Sequence, residues 1–586
     1  MSSPAPATGN TYEANLYPAT TQQNVTTPTG AVCFSGGGSR ALSCALGQLS
    51  ALTSPPPSGG SPLLSNFKYI SSVSGGSWAS VLYSFLPSTF SDQDFLISCV
   101  APGSLTQAGM QTMSANCLGS VPQQFGLESV GDFLYKMWKW GALDPLSGIS
   151  SWFWIAAIGE LVLKPFSLYD ATYSDKSPYL LPSSFFSLSQ GYVTNNLLPN
   201  NPGLQGVPFY SVSPNGRPTL IVNFNLLNGD YSQDPPQMPI QATAISTGSP
   251  GSAPSAPGKP PIAGGGSVES FAFTSTLGSG GTQGQDASVT MNRWYSLCDI
   301  AGCSSAFFAE YLLQYINKGL DDLLDYIAKE YNLSAFDKDA LWLILTGLID
   351  ALSSQVIPAY NYWEVGKSNP GNNTYGFSDG GDFENTGILG VLAQTDVNRI
   401  VAFINSEIAI TPSGSSYTVD PCLPILFGVG ENGNAQVFDN TGAPGNTPLE
   451  QLCKGLYNAS CGDSQLGTYT AAFTQTLTTV ANPVSGIAAG RQITVLWVYN
   501  NRVNKWQAGL TDNGLTNDLT KGQANQNSNG TPNGGSFDGP LPTLANFPYY
   551  DTGEQIYLPP EAVNMLGQLS AWNVEQLVTQ IQALFQ

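Results

Sequence analysis

Four serines in this sequence open a Ser-Gly-Gly triplet, at positions 35, 58, 74 and 279. One of them has the surroundings a nucleophile needs. Ser74 follows the apolar run Phe67–Val73 and precedes the apolar run Trp78–Leu86, so the pattern predicts strand, tight turn and helix with the hydroxyl at the bend. The copies at 58 and 279 lie in loops. A nucleophile elbow exposes a serine hydroxyl at the top of a sheet. It needs small residues two before and two after the serine, because strand and helix cross closely there. Ser72 and Gly76 satisfy that requirement. The competing reading of Ser74 is a helix N-cap followed by flexible glycines.

Ser35-Gly-Gly-Gly-Ser-Arg40 forms a second glycine-rich turn, between the apolar Ala31–Phe34 and a helical pattern with apolar residues at 41, 42, 45, 46, 49 and 52. Backbone amides at such a turn face outward at the positive end of a helix dipole, which suits a phosphate or an oxyanion. Gly36-x-Gly38-x-x-Ala41 fits the dinucleotide fingerprint in form. That fingerprint also requires an acidic residue about 20 positions on, and the chain has no Asp or Glu between residues 14 and 91. The dinucleotide reading therefore fails. Arg40 and Lys68 are the only charges in this stretch, so a site built here is neutral to positive. Arg40 opposes the helix dipole from the first turn. It calls for a partner, either a carboxylate elsewhere in the chain or a substrate phosphate.

A nucleophilic serine needs a base, and the 586 residues include no histidine. A Ser-His-Asp or Cys-His site is excluded. The best-placed base is Asp379, in Gly376-Phe-Ser-Asp-Gly-Gly381, after a strand pattern and before a helical one; Asp382 and Glu384 are the alternatives. Asp-Gly is equally a common turn dipeptide, which is the plainer reading of Asp379.

The same composition removes other classes. Nineteen Lys+Arg against 40 Asp+Glu give a net charge of −21, too few cations for a nucleic-acid face. Zinc sites that use His are excluded, and the nine cysteines show no C-x-x-C pair. The close pairs Cys298/Cys303 and Cys453/Cys461 are candidate disulfides. Asn24, Asn332, Asn372, Asn458 and Asn529 start N-x-Ser/Thr triplets, most of them expected by chance in so polar a chain. Residues 1–30 lack the pattern of a signal peptide, and no run is long and apolar enough to span a bilayer. An uncharged polar surface with an acidic balance suits an extracellular or acidic setting over the cytoplasm.

These groups must be positioned by elements legible in outline. Residues 1–29 read as an extended arm. Two strand, turn and helix units follow, around Gly36–Gly38 and around Ser74. Residues 100–215 are rich in aromatics, notably 133–140 and 151–163, and form either a cap or lid with an interfacial face or an ordinary buried helix pair. Strands are expected at 218–227, 267–275, 374–378, 399–404 and 492–499. Helices are expected at 304–326, 386–394, 560–569 and 574–585. Residues 246–266 read as a Pro/Gly/Ser surface loop. Strands alternating with helices define an α/β class, with a central, mostly parallel sheet flanked by helices.

Three segments carry a family resemblance: Ser35-Gly-Gly-Gly-Ser-Arg-Ala41, Tyr69-Ile-Ser-Ser-Val-Ser-Gly-Gly-Ser-Trp78 and Ser378-Asp-Gly-Gly-Asp-Phe-Glu-Asn385. In order and spacing they resemble the group IV cytosolic phospholipase A2 and fungal lysophospholipase (phospholipase B) family, which is patatin-related. The resemblance implies one catalytic domain over residues 30–586, with 100–215 as its cap. It implies a Ser–Asp dyad acting on acyl esters of phospholipids or lysophospholipids at a membrane or micelle surface, without cofactor or metal. By position, Ser74 becomes the nucleophile, Asp379 the base, Gly37 and Gly38 the oxyanion-hole amides, and Arg40 the phosphate contact. Ser72 stands where the family usually has Gly. No calcium-dependent lipid-binding module precedes the catalytic part, so calcium-driven recruitment is not implied. Rival readings are an acyltransferase, a protease or general esterase on the same dyad, or a catalytically silent lipid-binding protein.

Overall fold

The computed structural model describes residues 11–18, 29–56, 59–139, 152–174, 177–227, 237–251, 265–281, 286–291, 293–352, 357–365, 373–430, 435–461, 469–524, 544–551, 553 and 556–586. Its centre is a twelve-stranded sheet. Six strands matter for the site: Thr29–Phe34 (β1), Phe67–Val73 (β2), Thr219–Leu227 (β3), Asn373–Asp379 (β4), Val397–Ile404 (β5) and Gln492–Tyr499 (β6). Five of them run parallel in the order β3-β2-β1-β5-β6. Antiparallel strands extend this parallel core at both edges. The core strands are near-continuous apolar runs, as strands covered on both faces must be; in β2 only Lys68 reaches solvent.

The flanking helices include Gly38–Thr53 (α1), Gly75–Phe85 (α2), Leu297–Ser304 (α3), Phe308–Lys318 (α4), Ala335–Leu352 (α5) and Pro560–Gln576 (α6). Helices α1 and α6 cross through glycines: a Cβ on Gly47 would overlap the Gly567 carbonyl. Trp78 of α2 is fully buried and stacks on Phe125, with ring centroids 5.4 Å apart.

Several expectations change. In the N-terminal arm, the described residues 11–18 are extended but stitched in: Thr11–Ala14 pairs with Ala287–Thr290, and Leu16–Pro18 adds to the sheet edge beside Gly266–Glu269. Ser246–Ser249 is a strand with Thr247 and Ser249 buried, not loop, because it fills the gap between two neighbouring strands. Residues 252–264 of that predicted loop lie outside the described residues. The strand expected at 267–275 ends at Glu269 and passes into a 3-10 turn. The helix expected at 304–326 is broken at Ser305–Phe307 and at Gly319. The two C-terminal helices are one long α6 followed by the short Val578–Ala583.

All nine cysteines are free thiols, so neither proposed disulfide forms. Cys298 and Cys303 share α3 five residues apart, which at about 100° per residue turns the two side chains to different faces. Cys453 lies near the middle of the helix Pro448–Ser460, and Cys461 is its C-cap eight residues on.

The aromatic segments at 133–140 and 151–163 pack inward. Phe133, Leu134, Met137, Phe153, Trp154 and Ile158 are buried, and residues 140–151 lie outside the described residues. Large apolar side chains instead reach solvent on α5, where Phe336 is 80% exposed and Leu343 64%, with Trp342 beside them. Among the described residues no helix is long and apolar enough to cross a membrane.

Candidate active site

The sheet brings two strand ends together head to head. β2 runs parallel to β3 until Val73 lies opposite Asn223. β4 arrives antiparallel, with Asp379 opposite Phe224, the next residue of β3. The other edge of β3 is taken by Gln237–Ala242. Ser74 and Asp379 therefore leave their strands side by side on one edge of β3. The Ser74 hydroxyl donates to Asp379 Oδ2 at 2.9 Å, across 305 residues of sequence.

Ser74 occupies φ 52°, ψ −124°, a conformation that glycine tolerates and serine rarely adopts. Its side chain makes no cap bond to α2, so the N-cap reading does not hold. Its carbonyl accepts Ser77 N–H at 2.8 Å, and its own N–H donates to Ser304 Oγ at 3.0 Å. The small-residue requirement is visible at Gly76, where a Cβ would lie 2.6 Å from the Phe34 carbonyl oxygen. At the other small position, Ser72 is buried and its hydroxyl accepts from Ser77 Oγ at 3.1 Å.

Asp379 is 3% exposed. Its Oδ1 accepts Gly381 N–H at 2.8 Å, and Asn225 Nδ2 donates to its main-chain carbonyl. Burial pushes its carboxyl well above the usual range, and the charge of Asp382 pushes it further. Bonds from Gly381 N–H, the Ser74 hydroxyl and Phe307 N–H pull the other way without prevailing. The helix break at Ser305–Phe307 places the Phe307 amide beside the carboxylate.

The glycine turn packs directly on Ser74. A Cβ on Gly36 would stand 2.9 Å from Ser74 Cβ. Gly37 and Gly38 have φ of 126° and 51° and begin α1. A Cβ on Gly75 would overlap the Gly38 carbonyl, so the first turns of α1 and α2 meet at backbone distance. Two helix N-termini thus converge beside the Ser74 hydroxyl, in a stretch without carboxylates. Gly75→Ala should cost about 1–3 kcal/mol by overpacking; thermal unfolding of the variant measures it.

Arg40 is placed otherwise than expected. Its side chain is 5% exposed and turned inward. Nη1 pairs with Glu407 at 2.8 Å and with the Tyr550 carbonyl, and Nε donates to Asn405 O at 2.8 Å. The carboxylate partner therefore answers its charge, and a phosphate contact does not fit a guanidinium held this way. Glu384 is bound by the main-chain N–H groups of Thr386 and Leu389 and braces the start of the next helix. Asp382 is exposed. Of the three carboxylates considered, Asp379 receives the Ser74 bond.

Sequence reasoning missed Ser304, Asn223, Asn225 and the Phe307 amide. Asn223 and Asn225 left a signal, two amides at i, i+2 inside the apolar run Leu220–Leu227. Ser304 left none.

Fold and site together define an α/β protein with a Ser–Asp pair at a strand-turn-helix bend. No family model matches the chain, and no curated protein does. Among solved structures it is similar to human GIVD cytosolic phospholipase A2, with a TM-score of 0.45 and 13% identity over 95% of this chain and 60% of that one. A structure of that human protein with methyl gamma-linolenyl fluorophosphonate matches with a TM-score of 0.40 and 12% identity, over 95% and 59% of the two chains. The chain thus spans about three fifths of the length of the solved chains it matches. At this level of likeness, the chemistry of the site rests on the distances above.

Proposed function

We propose that the chain is a serine acyl hydrolase that cleaves fatty-acyl esters of phospholipids or lysophospholipids with Ser74 and Asp379. The observation that carries this reading is the 2.9 Å bond from the hydroxyl of a backbone-strained Ser74 to a buried Asp379 whose basicity is raised. Asp379 takes the Ser74 proton as Oγ bonds to the ester carbonyl carbon. The oxyanion is held by the amides of Gly37 and Gly38, donors worth about 3–4 kcal/mol each in comparable sites. The tetrahedral species then collapses, and the departing alcohol takes the proton from Asp379. Water repeats the sequence on the acyl-enzyme, Asp379 again taking a proton, and releases the free fatty acid with Ser74 restored.

The three-segment resemblance and the exposed Phe336, Trp342 and Leu343 of α5 support a lipid substrate. In this reading residues 30–586 work as one catalytic unit that engages a lipid surface, with 100–215 as its cap. The charge of −21 favours zwitterionic over anionic surfaces and fits an acidic or extracellular setting; the nine free thiols lend nothing to an oxidising compartment.

The test is fatty-acid release from phosphatidylcholine and lysophosphatidylcholine, alongside labelling by a fluorophosphonate probe and mapping of the adduct. Release together with an adduct on Ser74 is expected. A silent lipid-binding scaffold would give neither, and activity confined to soluble esters or peptides would overturn the lipid assignment.

A further inference from the structure

We propose that Ser304 is a positioning residue whose hydroxyl locks the Ser74 backbone in its strained conformation and so aims the Ser74 hydroxyl at Asp379. This rests on the reading of Ser74 as the nucleophile.

Ser304 ends α3 and is fully buried. A serine in a helix usually folds its hydroxyl back onto the carbonyl four residues earlier. Its neighbour Ser305 does so, donating to Ala301 O at 2.7 Å. Ser304 does not. It reaches across to β3 and donates to the Asn223 carbonyl at 2.7 Å. A hydroxyl has one proton and two lone pairs, and a carbonyl can only accept. The proton of Ser304 is therefore committed to Asn223, and its oxygen is left to accept. It accepts Ser74 N–H at 3.0 Å and lies 2.9 Å from Ser77 Oγ.

The anchor is itself fixed. Asn223 lies opposite Val73 in the ladder, and its amide donates to Ser71 Oγ at 2.8 Å and to the Ser72 carbonyl at 3.0 Å. Ser77 Oγ extends the chain of hydroxyls to Ser72 at 3.1 Å. The residue that departs from the usual glycine is thus the far end of this ladder. Ser72, Ser77 and Ser304 form a strut beneath the elbow, and of their three hydroxyls that of Ser304 is the one bonded to the Ser74 main chain.

The consequence is directional. The Ser74 amide points to Ser304 at the end of α3, while φ of 52° sets where the Cβ and hydroxyl stand relative to it. Without Ser304 it would be a buried donor with no partner, so the bend would be free to relax. Relaxation about φ carries the Cβ and the hydroxyl with it. A displacement of about 1 Å at a reacting group costs about 100-fold in rate.

The experiment measures the rate of fluorophosphonate labelling at Ser74, together with kcat, KM and thermal unfolding, in Ser304→Ala and Ser304→Cys. The alanine variant is expected to label about 10- to 100-fold more slowly, with kcat lowered in step, KM unchanged and a near-native unfolding midpoint. The cysteine keeps the volume and weakens both bonds, and decides the case if the alanine variant does not fold. Ser77→Ala leaves the Ser304 to Ser74 bond intact and should slow labelling far less. Normal labelling in either folded Ser304 variant overturns the proposal, as does an effect confined to KM. If wild-type protein gives no adduct on Ser74, the nucleophile assignment fails instead, and the two failures are told apart.

Discussion

Ser74→Ala is expected to lower fatty-acid release by at least about 1,000-fold, the scale seen when a serine nucleophile is removed from comparable sites. The fold should survive, because the lost group is one hydroxyl bonded to one carboxylate. A companion variant sharpens the result. Ser74 sits at φ 52°, where any side chain bearing a Cβ is strained by about 1–3 kcal/mol. Ser74→Gly relieves that strain and equally lacks the hydroxyl. It should be as inactive as the alanine variant and more stable than it, by about 1 kcal/mol. Strain that is retained at the cost of stability is expected where function requires the geometry. Thermal unfolding and release assays on the pair check both halves. Full activity in the alanine variant would remove Ser74 from the chemistry. Equal stability of the two variants would mean that the bend stores nothing.

The two strand-turn-helix units were legible because their signals are local. The apolar run Phe67–Val73 is strand β2 at the same residues, and Gln492–Tyr499 is β6. The parallel centre of the sheet followed from alternation of strand and helix. What failed depends on partners far along the chain. Arg40 could be read as a cation wanting a partner, but Glu407 and the Tyr550 carbonyl lie 367 and 510 residues away. No local pattern distinguishes them from a bound phosphate. The spacing of Cys298 and Cys303 suggested a bridge until both residues fell on one helix, where five positions separate their faces. The helical periodicity across 304–326 runs through Ser305–Phe307 because apolar spacing does not register a turn that places one amide beside Asp379. The absence of histidine did narrow the site to a dyad base, and the three carboxylates it left open are separated by geometry alone. Ser304 is the clearest case of what composition hides, an unremarkable serine whose role is set by the strand beneath it.

Asp379→Asn should reduce release by about 100- to 10,000-fold, the usual contribution of a positioned general base. The substitution is nearly isosteric. The amide oxygen can keep the bond from Gly381, and the new NH2 can donate to Ser74, but it cannot take a proton. Its effect on stability has a definite sign. The Asp379 carboxyl is raised in the folded state by burial and by the charge of Asp382. The native state therefore binds this proton more tightly than the unfolded chain does. That contribution to stability is fully present below the unfolded value and is lost as pH rises through the raised folded value. The asparagine variant escapes that loss, so its stability relative to wild type should grow as pH rises through that range. Activity runs the other way. The base works only when ionised, so wild-type kcat/KM should fall on acidification through the raised value rather than near an ordinary aspartate's. Asp382→Asn separates the assignments most sharply. It removes a charge that raises Asp379, so it should keep the plateau rate and move the acid limb of the pH profile to lower pH. If Asp382→Asn is the dead variant and Asp379→Asn retains turnover, the base is Asp382. A dead Asp379 variant with an unshifted Asp382 profile would leave burial as the only cause of the raised carboxyl.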